Sequence, residues 1–238
     1  MRHPKFSPAL LYSTAALLLA AGTPASAPAA DPSFRNDVAA VLAKAGCNMG
    51  ACHGNQNGKG GCQLSLRGPD PAVDYTSLVR QYGGRRLNRL HPEASLLLLK
   101  PTLRLAHEGG RRFEQGSLEY QVLRDWIAAG APGIEAETPR LESLEVTPMR
   151  KVLMEPEWEV QLAATAHFDD GSRRDVSRLA VYETSNLVAQ VDAAGHVRAE
   201  SAGEVTVTVR YLSEQQAVRL AFVPRRADFV RRRVRVID

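Results

Sequence analysis

Residues 45–62 read AGCNMGACHGNQNGKGGC. The stretch holds all three cysteines of the chain, and His53 stands directly after Cys52. The task of those thiols decides how the residues on either side fold. Upstream, in DPSFRNDVAAVLAKAGC (31–47), Phe34, Val38, Val41 and Leu42 recur at the spacing of one helix face. Ser33 is the expected N-cap and Gly46 the expected stop. Downstream, glycines crowd 54–61 too densely for regular structure. DYTSLVRQY (74–82) and EASLLLLK (93–100) read as short helices in a loop-rich region. SLEYQVLRDWIAAGAPG (117–133) reads as a longer helix, with Leu118, Val122, Leu123, Trp126 and Ile127 on its apolar face and Gly130 and Pro132 at its end.

The motif itself is Cys47-x4-Cys52-His53. Two cysteines followed at once by His form an attachment signature for c-type haem, normally with two residues between the cysteines. Each thiol forms a thioether to a vinyl group, and the adjacent imidazole then lies under the iron. Here the spacer is four residues, NMGA, small and containing Gly50, so it can bulge clear of the ring. Three other readings stay open on the motif alone. Cys47 and Cys52 could form a disulfide. Cys47, Cys52, His53 and a distant His could hold zinc, which prefers these ligand types. The segment could also be a structural loop without a ligand.

From about residue 140 the apolar period changes to two. LESLEVTP, EVQLAATAHF, VRAESAGEVTVTVRYL and QQAVRLAFV alternate, with turn signals at DDGS (169–172) and AAG (193–195). Close, regular strand spacing predicts a small β-sandwich. Val188, Val191, Val197, Val205, Val207 and Val209 would fill it. The boundary falls in GAPGIEAETPR (130–140). The fold class expected is therefore multidomain: an α-helical domain, a linker at 134–140, then an all-β domain over 141–223.

Composition is that of ordinary globular protein, with 44% hydrophobic, 24% charged and 6% aromatic residues over 238 positions. The net charge of +4 sits at the two ends: Arg2 and Lys5 at one, six arginines in 225–238 at the other. The body between is slightly acidic, so no basic face for nucleic acid is present. MRHPKF, the apolar ALLYSTAALLLAAG and the small-residue ASAPAAD read as an export signal over 1–30, cleaved near Ala29 or Ala30. Its apolar run is short for a membrane span. Export predicts a periplasmic or secreted protein, with no transmembrane span in the mature chain and cysteines in an oxidising compartment. The basic tail at 224–238 matches neither domain and could begin a further one.

FRNDVAAVLAKAGCNMGACHG, KGGCQLSLRG, HPEASLLLLKP and YQVLRDWIAAGAPG, together spanning 34–133, resemble the planctomycete-type cytochrome c domain. That resemblance implies an all-α cytochrome c-like fold over 31–133. It implies one covalent haem c on Cys47 and Cys52, with His53 as the proximal iron ligand. Many such domains carry a Met-Pro before the final helix as the distal ligand. This chain has LRLAHEGGRRFEQGS there, without Met, and His107 takes the place. His91 is next in order, beside the rigid Pro92. Met49 lies inside the attachment loop, and Met149 and Met154 in the following domain. Two histidine ligands imply a lower potential than a Met-ligated iron, and two filled axial positions favour electron transfer over oxygen chemistry. Arg111, Arg112 and Lys59 are cations that could pair with haem propionates, although solvated charge explains them as well. Cys62, in KGGCQLSL, reads as a small buried residue.

FDDGSRRDVS, ETSNLVAQVDAAGHVRA and AGEVTVTVRY, within 141–223, are similar to bacterial immunoglobulin-like domains of group 2. The similarity implies a spacer or docking module with possible cell-surface or polysaccharide contact. Asp169, Asp170 and Asp175 read as turn residues, and His167 and His196 as surface residues. No nucleophile–base set, catalytic carboxylate pair or phosphate loop is evident, so the chain reads as an electron carrier and not a catalyst. Its redox partner protein is not written in the sequence. The competing expectation is a non-redox surface adhesion or interaction protein whose cysteines form a disulfide or zinc site.

Overall fold

The structure is a computed structural model that describes residues 31–56 and 58–225. The expected export segment 1–30 and the tail beyond 225 lie outside the described residues. From Asp31 on, the described residues belong to one compact unit.

Ser33 accepts the Asn36 N–H and caps a π-helical turn, Phe34–Val38, that leads into α1, Ala39–Lys44. Gly46, at φ 71°, then turns the chain out of the helix. Asp70 caps α2, Pro71–Val79, whose proline needs no intrahelical partner at the first position. A single turn, α3, spans Leu96–Leu99. Ser117 caps α4, Leu118–Ala128, which buries Tyr120, Leu123, Trp126 and Ile127. These helices pack Phe34, Val38, Leu42, Leu78, Leu98 and Trp126 into one apolar cluster.

Ten strands follow: β1 Leu141–Thr147, β2 Arg150–Met154, β3 Glu159–Gln161, β4 Ala163–Phe168, β5 Arg173–Asp175, β6 Val181–Thr184, β7 Ala189–Val191, β8 His196–Ala199, β9 Gly203–Tyr211 and β10 Glu214–Val223. They form three sheets, ordered β1-β4-β5, β2-β10-β9-β6 and β3-β8-β7. All pairings are antiparallel except β2 with β10. The alternation in β9 puts Val205, Val207 and Val209 into a common core with Leu162, Val197 and Leu220.

This corrects the expected fold class. The molecule is not an all-α cytochrome c-like domain followed by an all-β Ig-like sandwich. It is a mixed fold dominated by sheet, 28% strand against 23% helix, with four short α-helices. The helical count falls short because left-handed residues punctuate 46–116. Arg67, Tyr82 and Leu103 join several glycines at positive φ, and no α-helix runs through such a residue. The sandwich expectation fails because the strands divide among three sheets and β2 enters in parallel. Among the described residues no helix is long and apolar enough to cross a membrane.

The boundary segment 130–140, which contains the expected linker 134–140, is hydrogen-bonded to the helical part. Tyr75 donates to the Ala131 carbonyl, Trp126 Nε1 to Pro132 at 3.0 Å, and Asn36 Nδ2 to Pro139 at 2.9 Å. Further contacts tie α1 to the sheets. Lys44 Nζ donates to the carbonyls of Ala180 and Ala193, and Arg174 meets Asp37 at 2.7 Å. The Tyr211 hydroxyl donates to the Asn36 carbonyl at 2.6 Å while accepting from Arg174 Nη2. Burial pushes this hydroxyl up to about 12, against the pull of Arg174. A raised acid pKa stabilises the fold fully below the ordinary value of 10 and loses that contribution as pH climbs through 12. Tyr211→Phe is therefore expected to lose about 1–2 kcal/mol at pH 8, since it strips a hydrogen bond from a buried carbonyl. The gap to wild type should narrow between pH 10 and 12. Urea midpoints of the two proteins across that range check this, and parallel profiles would refute it.

Candidate cofactor pocket

The loop after α1 coils back on itself. The His53 N–H donates to the Cys47 carbonyl and the Cys52 N–H to Met49. Gly54 then passes so close to the Asn48 carbonyl that a Cβ has no room. This extra turn accommodates the four-residue spacer. Cys47, Ala51, Cys52 and His53 line a cavity of about 330 Å³, while Asn48, Met49 and Gly50 do not. The opposite wall comes from the loop after α3, where His107 and Gly109 line the same cavity, and Leu42, Leu78, Leu96, Leu97 and Pro101 supply apolar surface.

The two imidazoles form the centre of the site. Their ring centres stand 6.4 Å apart with planes inclined by 17°. His53 Nδ1 is 3.0 Å from the Lys59 carbonyl, and His107 Nδ1 is 2.9 Å from the Gly110 carbonyl. A carbonyl can only accept, so each Nδ1 carries a proton at these contacts. Orienting an imidazole through its second nitrogen is the usual support for a metal ligand.

Glycines set both rings. Gly58, at φ 34°, passes against the Cys62 carbonyl and delivers the Lys59 carbonyl to His53. At Gly109 a Cβ would meet Cε1 of His107 at 3.0 Å and Nε2 at 3.3 Å, crowding the ligating edge of the ring. Burial lowers the His53 pKa, and its hydrogen bond to Lys59 opposes this only in part. Burial also pushes the Cys47 thiol, packed against the helical core, up to about 12, although the Arg112 guanidinium pulls it down. The Cys62 thiol is raised as well, chiefly by burial.

All three cysteines are free thiols, and all line the cavity. Cys62 is half-buried and not fully enclosed. Among the described residues no three His, Cys, Asp or Glu side chains gather as a metal set, so no preformed tetrahedral zinc cluster is present. Two imidazoles and two thiols beside His53 are the side chains that a covalently attached haem would use. The apolar walls suit a flat macrocycle, so the residues present fit a haem.

The other sequence candidates lie elsewhere. His91 is exposed at the start of the 3₁₀ turn Pro92–Ala94, away from the cavity. Met149 and Met154 are exposed at β2. Arg112 Nε donates to the Ala45 carbonyl at 2.6 Å and Nη1 to Gly109, so this cation brackets the two walls together. Arg111 pairs with Glu114, and Lys59 with Glu108. Asp169, Asp170 and Asp175 accept backbone N–H groups of Arg140, Ser172 and Ser177, which are turn roles. Sequence reading missed the carbonyls of Lys59 and Gly110. The signal available was a pair of adjacent glycines shortly after each histidine, at 60–61 and 109–110.

No protein-family model and no curated protein matches the chain. Among solved structures it is similar to the crystal structure of the S-layer protein SbsC domains 4 and 5, at 17% identity and a TM-score of 0.26. The match covers 36% of this chain and 53% of that one, and a likeness this slight bears on neither fold nor function.

Proposed function

We propose that this chain is an exported carrier of one covalent haem c that transfers single electrons. Cys47 and Cys52 would tether the group, and His53 and His107 would ligate its iron. A bound haem supplies a one-electron iron couple with two axial positions for protein ligands. The reading rests above all on two near-parallel imidazoles 6.4 Å apart across one cavity, each with Nδ1 held by a backbone carbonyl.

The chain's own residues then have distinct tasks. The thiols sit on the same wall as His53, so attachment fixes the group against that ring. Leu42, Leu78 and Leu97 exclude water from its apolar face. A haem held by both imidazoles would have no protein-side site left open, which would suit electron transfer over oxygen or peroxide chemistry. The export-like residues 1–30 support a periplasmic or secreted location, where a redox partner protein would exchange electrons with this site. The strand-rich part serves as a spacer or docking element toward a cell surface or polysaccharide.

The test is maturation of the full chain in a periplasm that contains the cytochrome c maturation machinery. After denaturation, the band is expected to stain for haem peroxidase activity and to carry one haem of added mass. A colourless band, or a Cys47–Cys52 disulfide in the mature protein, would overturn the reading and leave the non-redox interaction protein in its place.

A further inference from the structure

Five cations line the cavity, Lys59, Arg85, Arg86, Lys100 and Arg112, against one acid, Glu108. Three of the five are engaged. Lys59 pairs with Glu108, and Arg112 holds the carbonyls of Ala45 and Gly109. Arg86 is buried and donates to the carbonyls of Ser77 and Gly61, both at 2.7 Å.

Arg85 and Lys100 differ. The exposed guanidinium of Arg85 rests over the Tyr82 ring at 5.3 Å and makes no hydrogen bond among the described residues. Lys100 is exposed, and its Nζ has one long hydrogen bond, 3.3 Å, to the Ala106 carbonyl. Both stand on the same wall. The Leu97 N–H donates to the Arg86 carbonyl, which lays the Arg85–Arg86 turn against α3, and Lys100 is the residue that ends α3. An apolar cavity with two unneutralised cations on one wall is complementary to a flat apolar ligand whose carboxylates lie along one edge.

We infer that Arg85 and Lys100 are the pair that holds the two haem propionates, and that their charges raise the potential of the iron. This rests on the haem reading. The contacts would be charge-assisted hydrogen bonds, which are the stronger kind, and each cation close to the iron disfavours its oxidised, more positive form.

The experiment compares midpoint potentials of the matured full chain with those of Arg85→Gln, Lys100→Gln and the double variant, by spectroelectrochemistry. Covalent haem is followed by peroxidase stain and ligation by the low-spin spectrum. Each single variant is expected to keep both and to shift to lower potential, the double variant further, with Arg85→Lys restoring most of the shift. Arg104→Gln, which removes an exposed cation outside the cavity, is expected to leave the potential unchanged. Stained, low-spin single variants at the wild-type potential, or an equal shift in Arg104→Gln, would overturn the propionate assignment and leave the haem reading standing. An unstained wild-type chain would remove both.

Discussion

His107→Ala is expected to convert the matured protein from a low-spin to a high-spin spectrum in both oxidation states while leaving the haem stain intact. On the proposed reading, removing this side chain would empty one ligand position of the iron and spare the thioether attachment and His53. His107 and His53 line one cavity, and among the described residues no other His lies on its wall. His107 is also held by its own loop, through Nδ1 to the Gly110 carbonyl, with Gly109 leaving the ligating edge clear. Alanine at 107 leaves that loop without a donor and the site open to small ligands. Imidazole added in solution is therefore expected to restore the low-spin spectrum. Absorption spectra of the oxidised and reduced variant, with and without imidazole, make the measurement. An unchanged low-spin spectrum in His107→Ala would show that another group fills the position, and the two-imidazole arrangement would lose its meaning.

The parts of the site legible in the sequence were those governed by local chemistry. Cys47, Cys52 and His53 are close in sequence, and their order states their candidate role before any fold is known. Ser33 and Gly46 mark the two ends of the first helical segment, because capping is a contact between neighbours. The period of two in 203–223 announced β9 and β10. What escaped reading depends on contacts distant in sequence. Arg112 looked like a free cation, yet its guanidinium closes on Ala45, 67 residues earlier. The Pro- and Gly-rich boundary 130–140 gives no sign in sequence that its carbonyls serve Tyr75, Trp126 and Asn36. The fold class failed for a related reason. The segments 74–82 and 93–100, read as short helices among loops, hold α2 and α3, and Tyr82 and Leu103 at positive φ confine regular helix to these short pieces, too little for an all-α domain.

Trp126→Ala is expected to destabilise the whole described unit by about 3–5 kcal/mol, the usual cost of truncating a fully buried tryptophan. Trp126 is 0% exposed, stands 5.4 Å from the Phe34 ring and 6.5 Å from Tyr75, and donates Nε1 to the Pro132 carbonyl. Alanine would leave a void among three aromatic positions and an orphaned carbonyl on the chain leading to β1. The loss should not stay in the helical core. Ala40 of α1 packs into the sheet core, Leu179 touches both cores, Lys44 is bonded to the turns at Ala180 and Ala193, and Asp37 and Asn36 are bonded to Arg174 and Tyr211 of the sheets. The chain has two tryptophans, so the variant keeps Trp158 as its single indole. Trp158 lies edge-on to Phe222, with Nε1 directed to the Val223 carbonyl, and so reports on the sheets. Urea unfolding of Trp126→Ala followed by Trp158 fluorescence should therefore move to a lower midpoint together with the helical signal in circular dichroism. Trp126→Phe, which keeps a ring and loses the Pro132 hydrogen bond, should fall between the two. A sheet transition that stays at the wild-type midpoint while the helical signal is lost early would mean that the contacts of α1 with the sheets do not couple the two cores.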